Sequence, residues 1–295
     1  LAGQTDNDVM YGGAGDDLML GGLGDDQLFG GVGNDEIQAG VGNDALYGEE
    51  GNDRLFGGAG NDTIYGGNGV SDSINAGGGN DLVIMSNQLN GTDTLDGGTG
   101  NDDRLTFTDN GTATSDLDHV TNIEVITLGD SVTSVVTVDA LVATGQTLTI
   151  DATGLTGTNT LNWDGSAETN GHFSVDGSGN NDTITGGAGN DTFAGGAGVD
   201  SLTGGNGNDV FVYNSAVADQ SGAGETIAGG NNTDTIVVAG GSTMVNFSND
   251  SISNIETLEM TLDVLGNADG DDQTVQMTDG QVDALSTIKA NDGNT

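Results

Sequence analysis

The 295-residue sequence contains no cysteine and only two histidines, so it offers few of the thiolate and imidazole ligands that zinc prefers. Lysine and arginine together number three, against 46 aspartates and glutamates. The formal net charge of −43 excludes nucleic acids and anionic membranes as electrostatic partners. No apolar run approaches the ~18 residues that a transmembrane helix requires, so membrane insertion is not expected.

Aromatic residues are also scarce, at 4%, and high net charge with few aromatics ordinarily indicates disorder. Glycine, by contrast, contributes 55 residues, and a nine-residue pattern recurs from the first residues to Ile84. From Gly12 it runs GGAGDDLML, GGLGDDQLF, GGVGNDEIQ, AGVGNDALY, GEEGNDRLF and GGAGNDTIY, with an acid at the sixth place and an apolar residue at the eighth. A flexible glycine-rich linker has no reason to hold this phase. The period therefore predicts an all-β solenoid whose turns bury apolar residues against their neighbours.

These units resemble the RTX, or hemolysin-type, nonapeptide repeat, whose pattern is G-G-x-G-x-D-x-U-x with U a large aliphatic residue. The resemblance implies a parallel β-roll in which two nonapeptides form one turn. It also implies that the first six residues of each unit form a loop and the last three a short strand. Finally, it implies calcium held between successive loops by the sixth-place aspartates and loop carbonyl oxygens.

Elementary chemistry favours the same metal. Aspartate is a short, hard oxygen ligand, and calcium takes about six to eight such oxygens in forgiving geometry. Stacked turns place like-charged aspartates roughly 4.8 Å apart, where bare carboxylates repel. Because the chain has so few basic residues, we expect cations from solution. The predicted ligands are Asp8, Asp17, Asp26, Asp35, Asp44, Asp53, Asp62, Asp72, Asp81, Asp93, Asp102, Asp182, Asp191, Asp200, Asp209 and Asp234.

The repeats fall into two arrays. We expect a first β-roll at residues 1–105, a β-rich spacer at 106–176, a second β-roll at 177–238 and a second spacer at 239–295. The spacers are rich in Thr, Val, Ile and Leu, as in VTNIEVITL, which predicts strands of a different β element. The chain begins at Leu1 within a repeat, so a fragment of a longer protein is expected.

The second half copies the first at an offset of 132 residues: the Asn-Ile-Glu of residues 122–124 returns at 254–256. Such a segment after an RTX array is similar to those in large secreted surface proteins, including S-layer proteins of Gram-negative bacteria. RTX proteins are typically exported by type I secretion, and a cysteine-free chain suits an extracellular protein stabilised by ions instead of disulfides. The sequence thus predicts a location outside the cell or on the bacterial surface.

No HExxH and no G-x-S-x-G motif is present, which argues against a zinc protease or a serine hydrolase. His119 and His172 lack a partner set in the sequence, and Trp163 is expected in the core. No enzymatic activity is therefore predicted. Three roles remain open: a structural or lattice-forming surface protein, the calcium-stiffened segment of an adhesin that binds a surface or glycan, and the carrier module of an absent enzyme.

Alternate units stack on the same face, so their ninth residues form two rows. One row is aromatic, comprising Tyr11, Phe29, Tyr47 and Tyr65. Because side chains alternate across a strand, the buried eighth residue turns the ninth outward, and the rings are expected to form a ladder. Such a ladder either stabilises itself or provides a contact face for another copy of the chain or a surface polysaccharide.

The sequence also predicts folding that depends on calcium. Ordering the backbone costs about 1–2 kcal/mol for each residue, whereas the single buried Leu or Ile of a nine-residue unit returns only about 1.5–3 kcal/mol. The arrays are therefore expected to be unfolded at cytosolic calcium and to fold outside the cell.

Overall fold

The nonapeptide phase becomes a stack of parallel strands. In a computed structural model, residues 1–85, 89–108, 117–130, 134–137, 141–214, 224–239, 245–247, 250–261, 275–276, 285 and 287–291 are described. The described residues contain strands and turns and no helix, and hence no helix that could span a membrane. The chain divides into two compact units, Leu1–Ala143 and Thr144–Thr295.

The first unit is a parallel β-solenoid. Its strands are β1 (Ala2–Gln4), β2 (Val9–Ala14), β3 (Leu18–Leu23), β4 (Gln27–Val32), β5 (Glu36–Val41), β6 (Ala45–Glu50), β7 (Arg54–Ala59), β8 (Thr63–Tyr65), β9 (Ser73–Gly78), β10 (Leu82–Ile84), β11 (Thr94–Thr99), β12 (Arg104–Phe107), β13 (Val120–Thr121), β14 (Val125–Leu128) and β15 (Val135–Val136). Odd strands stack in the order β1-β3-β5-β7-β9-β11-β13, and even strands from β2 to β14. Two nonapeptides therefore form one turn, as expected.

The second unit is built in the same way. Its strands are β16 (Thr147–Asp151), β17 (Asn162–Asp164), β18 (His172–Asp176), β19 (Thr183–Thr185), β20 (Thr192–Ala194), β21 (Ser201–Asn206), β22 (Val210–Asn214), β23 (Thr226–Asn231), β24 (Thr235–Ala239), β25 (Val245–Asn246), β26 (Ser251–Ser253), β27 (Thr257–Thr261), β28 (Val275–Gln276) and β29 (Thr287–Asn291). One sheet runs β16-β18-β20-β22-β24-β27-β29 and another β17-β19-β21-β23-β26, with β25 and β28 paired separately.

The core is a row of stacked side chains from the eighth place of the repeat. Met19, Ile37 and Leu55 lie opposite one another on β3, β5 and β7, and all three are fully buried. The even sheet stacks Leu28, Leu46 and Ile64 in the same way. Because each turn buries only its own pair of aliphatic residues, the turns depend on their neighbours for a hydrophobic core.

Two expectations need correction. Most strands of the first array are six residues long and continue through the first three residues of the next unit, as in Leu18–Leu23, so the loops are shorter than the resemblance implies. The strands of the predicted first spacer are also not a separate element. Within the first unit β14 pairs in parallel with β12, and within the second β18 pairs with β20, because their alternating apolar residues extend the solenoid core. Much of the predicted second spacer, 239–295, lies outside the described residues.

Candidate metal centre

The sixth-place aspartates form an acid ladder along the loops. The backbone N–H of Asp17 donates to Oδ1 of Asp35 at 2.8 Å, and the N–H of Asp35 donates to Oδ1 of Asp53 at 2.8 Å. The same bond, at 2.7–2.9 Å, links Asp8, Asp26, Asp44, Asp62 and Asp81 in one series and Asp53, Asp72 and Asp93 in the other. The predicted positions are thus brought into line, one carboxylate for each loop.

The second unit carries an equivalent ladder. The N–H of Asp182 donates to Asp200, that of Asp191 to Asp209 and that of Asp209 to Asp234. Asp182 and Asp191 differ from the others, because Oδ2 of each already accepts a backbone N–H, from Ser178 at 2.6 Å and Gly187 at 2.9 Å respectively. The Oδ2 atoms of these two carboxylates are therefore less available to bind a metal ion.

The structure corrects one predicted ligand. Asp103, and not Asp102, occupies the ladder position: it is fully buried, and Oδ1 accepts the N–H of Asp81 at 2.8 Å. Asp102 lies at the surface and pairs with Arg104 at 2.9 Å. The reason is the strand phase, because the ladder carboxylate always precedes the buried apolar residue by two positions, and that residue is Leu105. The extra residue in this unit shifts the loop and leaves the strand unchanged.

The second oxygen of most ladder carboxylates is buried without a hydrogen-bond partner. This is true of Oδ2 in Asp26, Asp35, Asp44, Asp53, Asp62, Asp72, Asp81, Asp103, Asp200, Asp209 and Asp234. In most units the first glycine faces this oxygen: a Cβ on Gly57 would collide with Oδ2 of Asp62 and with the carbonyl oxygen of Ala76, one turn further along. Only glycine or alanine, as at Ala39 and Ala76, occupies the first place of these units, because a carboxylate and a carbonyl oxygen from two successive turns lie close to the loop backbone there.

Burial makes these carboxylates weak acids in the metal-free fold. Burial, together with the neighbouring ladder carboxylates, raises the pKa of Asp53, Asp62 and Asp209 to about 7 from an ordinary value of 3.8. A backbone N–H bond to each carboxylate opposes the shift. Around neutral pH the ladder thus resists full ionisation until a cation neutralises it.

Neither arginine in the described part of the chain supplies such a cation. Arg54 pairs with Glu36 at 3.7 Å, and Arg104 pairs with Asp102, both at the exposed surface. Neither guanidinium reaches a buried ladder oxygen. The compensating charge must therefore come from solution.

Four further acids extend the ladder and are not among the predicted ligands. Glu124 accepts the N–H of Asp103, Glu225 that of Asp200, and Glu256 that of Asp234, each at 2.8 Å. Asp250 accepts the N–H of Glu225 at 3.0 Å. Burial raises the pKa of Glu225 to about 7. The signal that could have found them is an acid two residues before a core aliphatic residue, as in Glu124 and Ile126.

A second ladder, formed by the fifth place of the repeat, was also missed. Here the bond runs in the opposite direction along the chain, because the N–H of Asn52 donates to Oδ1 of Asn34 one turn earlier, at 2.9 Å. Asp25 accepts from Asn43 in the same way, at 2.8 Å. In the second unit His172 takes this place and accepts the N–H of Asn190 through Nδ1 at 2.8 Å. The preference for Asn or Asp at the fifth place is therefore structural.

The predicted aromatic ladder forms. The ring centroids of Tyr11, Phe29, Tyr47 and Tyr65 follow one another at 4.9, 4.5 and 4.6 Å, with interplanar angles of 6–11°. The rings stack face to face along the solenoid and present mainly their edges to solvent. Trp163, expected in the core, is fully buried and meets Phe173 edge to face at 5.4 Å.

The donor set fits calcium. Hard, partly free carboxylate oxygens and backbone carbonyls on a glycine-rich loop are the ligands that calcium prefers. Among the described residues no three acidic or histidine side chains converge on one point, so carbonyl oxygens must supply much of any coordination shell. Zinc would require nitrogen or sulfur ligands that the ladder does not contain.

The family model of the RTX calcium-binding nonapeptide repeat, in four copies, matches residues 1–28, 20–55, 38–70, 71–84, 89–103 and 176–211. No curated protein matches the chain. The match coincides with the loops that carry the acid ladder in both units. Both units of the chain carry RTX calcium-binding nonapeptide repeats, and these repeats bind calcium ions at multiple sites. The chain is accordingly a calcium-binding structural segment.

Proposed function

We propose that this chain is the calcium-dependent structural segment of a secreted bacterial surface protein, a component of an S-layer-like lattice or matrix that is unfolded at cytosolic calcium and folds on export. The observation that carries the proposal is the acid ladder, whose buried Oδ2 atoms lack partners. A fold that buries so many unneutralised carboxylates is stable only when a cation is supplied.

The calcium concentration outside the cell suits this requirement. Extracellular calcium modules bind in roughly the 10⁻⁴–10⁻³ M range, far above the concentration in a cytosol. Export by type I secretion also requires a chain that has not yet folded. A chain without a stable metal-free fold would meet this requirement in the cytosol. The absence of cysteine is consistent with stabilisation by ions at that location.

A non-catalytic role is part of the proposal, and the repetitive architecture supports a lattice or matrix component over a carrier module. In both units the described strands stack in parallel, and the Asn-Ile-Glu segments belong to the solenoid. The adhesin alternative depends on the aromatic ladder. Because its rings cover one another's faces, few faces are left on which a sugar ring could stack, and mutual stabilisation of the turns is the better supported role.

The proposal is tested by a calcium titration combined with an assembly assay. The folding midpoint is expected in about the 10⁻⁴–10⁻³ M range, and above it sedimentation and electron microscopy should detect ordered self-assembly. Magnesium at equal ionic strength is the control. A folding midpoint at cytosolic calcium, or a folded chain that stays monomeric at every concentration tested, would contradict the proposed role.

A further inference from the structure

The two Asn-Ile-Glu segments occupy equivalent places in the two units. In the first unit Glu124 accepts the N–H of Asp103 at 2.8 Å, and in the second Glu256 accepts the N–H of Asp234 at 2.8 Å. Each glutamate thus takes the place that a sixth-place aspartate holds elsewhere in the ladder. The sequence shows these segments as a duplication, and the structure gives both the same position.

The asparagine of each segment supplies the carbonyl oxygen that the first residue of a nonapeptide supplies elsewhere. A Cβ on Gly229 would collide with the carbonyl oxygen of Asn254 and with Oδ2 of Asp234, as a Cβ on Gly57 would with Ala76 and Asp62. Asn122 and Asn254 have φ of 54° and 53°, in the left-handed region where asparagine is better tolerated than most residues. This conformation turns the carbonyl toward the glycine of the previous turn.

An unsatisfied buried oxygen faces each segment. Asp103 and Asp234 are both fully buried, and Oδ2 of each has no hydrogen-bond partner. Ile123 and Ile255, at 6% and 1% exposure, anchor the turns in the core. A carboxylate, a carbonyl oxygen from the next turn and a second carboxylate therefore lie on one face of the loop, as they do between two nonapeptides.

We propose that each Asn-Ile-Glu turn is a compact half of a calcium site and ends the row of sites in its unit. A nonapeptide places its acid five residues after the carbonyl donor, as in Ala76 and Asp81, whereas here the separation is two residues. The longer side chain of glutamate compensates for the shorter loop. The ligands assigned are Asp103, Asn122 and Glu124 in the first unit, and Asp234, Asn254 and Glu256 in the second.

This inference rests on calcium-dependent folding of the arrays, and its test compares two double variants. Glu124→Gln with Glu256→Gln keeps a hydrogen-bond acceptor for the Asp103 and Asp234 N–H groups and removes only charge. Glu50→Gln with Glu259→Gln, which lie outside the ladder, removes the same charge from the same units. Calcium stoichiometry by equilibrium dialysis should fall by two ions for each chain in the first variant and stay unchanged in the control, with matching far-UV circular dichroism at saturating calcium.

An unchanged stoichiometry in the Glu124→Gln and Glu256→Gln variant overturns the inference, because the glutamates then serve only as backbone caps. If that variant does not fold, a crystal structure of the unaltered chain grown in calcium decides the matter through anomalous scattering. Ions beside Asp103 and Asp234 support the inference. Ions between nonapeptide loops but at neither turn refute it alone, and ions at no loop refute the calcium-dependent role as well.

Discussion

Replacement of Asp53 by asparagine separates the two roles of a ladder carboxylate. Asp53 lies in the middle of the first array and is 1% exposed. Oδ1 accepts the N–H of Asp35 at 2.8 Å, whereas Oδ2 has no partner. Asparagine has the same shape and keeps the carbonyl acceptor, so Asp53→Asn preserves the ladder bond and removes only the charge and one potential calcium ligand.

The expected size of the effect follows from these two changes. A hydrogen bond or ligand contact to a charged group contributes about 1.5–3 kcal/mol, so calcium affinity at this position should fall roughly 10- to 100-fold. In saturating calcium the melting temperature should fall by roughly 3–12 °C, at about 2–4 °C for each kcal/mol in a unit of this size. Without metal the effect should reverse, because a pKa raised from 3.8 to about 7 corresponds to an ionisation penalty of about 4 kcal/mol that asparagine does not incur.

The matched control is Asp25→Asn, which removes the same charge from an exposed fifth-place residue whose Oδ1 accepts the N–H of Asn43. Asparagine is the usual residue at that place, so the control should melt within about 1–2 °C of the parent, since surface changes cost about 0.5 kcal/mol or less. Differential scanning calorimetry in calcium, and in chelator with a stabilising osmolyte, measures both. Equal destabilisation by the two variants, or equal destabilisation of Asp53→Asn with and without calcium, would refute the reasoning.

Three further predictions test the loops, the titration and the surface. Gly60→Ala should abolish cooperative calcium-induced folding of its turn, because Gly60 has a φ of 132° and its Cβ would collide with the carbonyl oxygen of Gly42, whereas Gly179→Ala, which faces open space, should fold nearly as the parent does in the same calcium titration. Because the pKa of Asp62 is raised to about 7, the metal-free fold should gain stability as pH falls below about 7 and lose it as pH rises through that value. In calcium, protons compete with the metal, so the calcium concentration at the folding midpoint should be higher at acidic pH. A folding midpoint that does not change with pH would contradict this prediction. The double change Phe29→Ser with Tyr47→Ser should lower the melting temperature and leave self-association and glycan binding intact, whereas loss of association from a variant that still folds would show that the aromatic ladder is an interface.

The sequence predicted the parts of the molecule that the period controls. A fixed nine-residue repeat places the acid of every unit at the same loop position and the aliphatic residue of every unit in a stacked core row. The positions of Asp35 and Ile37 therefore followed directly from counting. The aromatic ladder followed for the same reason, since residues 18 positions apart stack on successive turns. These predictions needed no knowledge of tertiary contacts.

The errors arose where the period is interrupted. Counting from the glycines puts Asp102 at the sixth place, whereas the buried strand sets the phase in the fold, and Leu105 assigns the ladder position to Asp103. The spacer strands were expected to form another element because the sequence there turns to Thr, Val, Ile and Leu, although their alternation suits a solenoid turn equally well. Glu124 was overlooked because a glutamate on a short turn does not match a pattern that requires an aspartate on a long one.

The fifth-place ladder was missed for a different reason. Asn34 and Asn52 resemble ordinary turn residues in the sequence, because asparagine favours turns whether or not it bonds to anything distant. Only the stacking of turns shows that each side chain accepts a backbone N–H from the following turn. A pattern of single residues does not reveal a contact between units that lie 18 positions apart.

The central claim is that calcium neutralises the acid ladder and thereby makes the fold stable. The most direct measurement is far-UV circular dichroism of the whole chain in excess chelator and again after addition of millimolar calcium, with magnesium as the control. We expect an unfolded spectrum in chelator, a cooperative change to a β-rich spectrum in calcium, and little change in magnesium. A β-rich spectrum that is the same in chelator and in calcium would contradict the account.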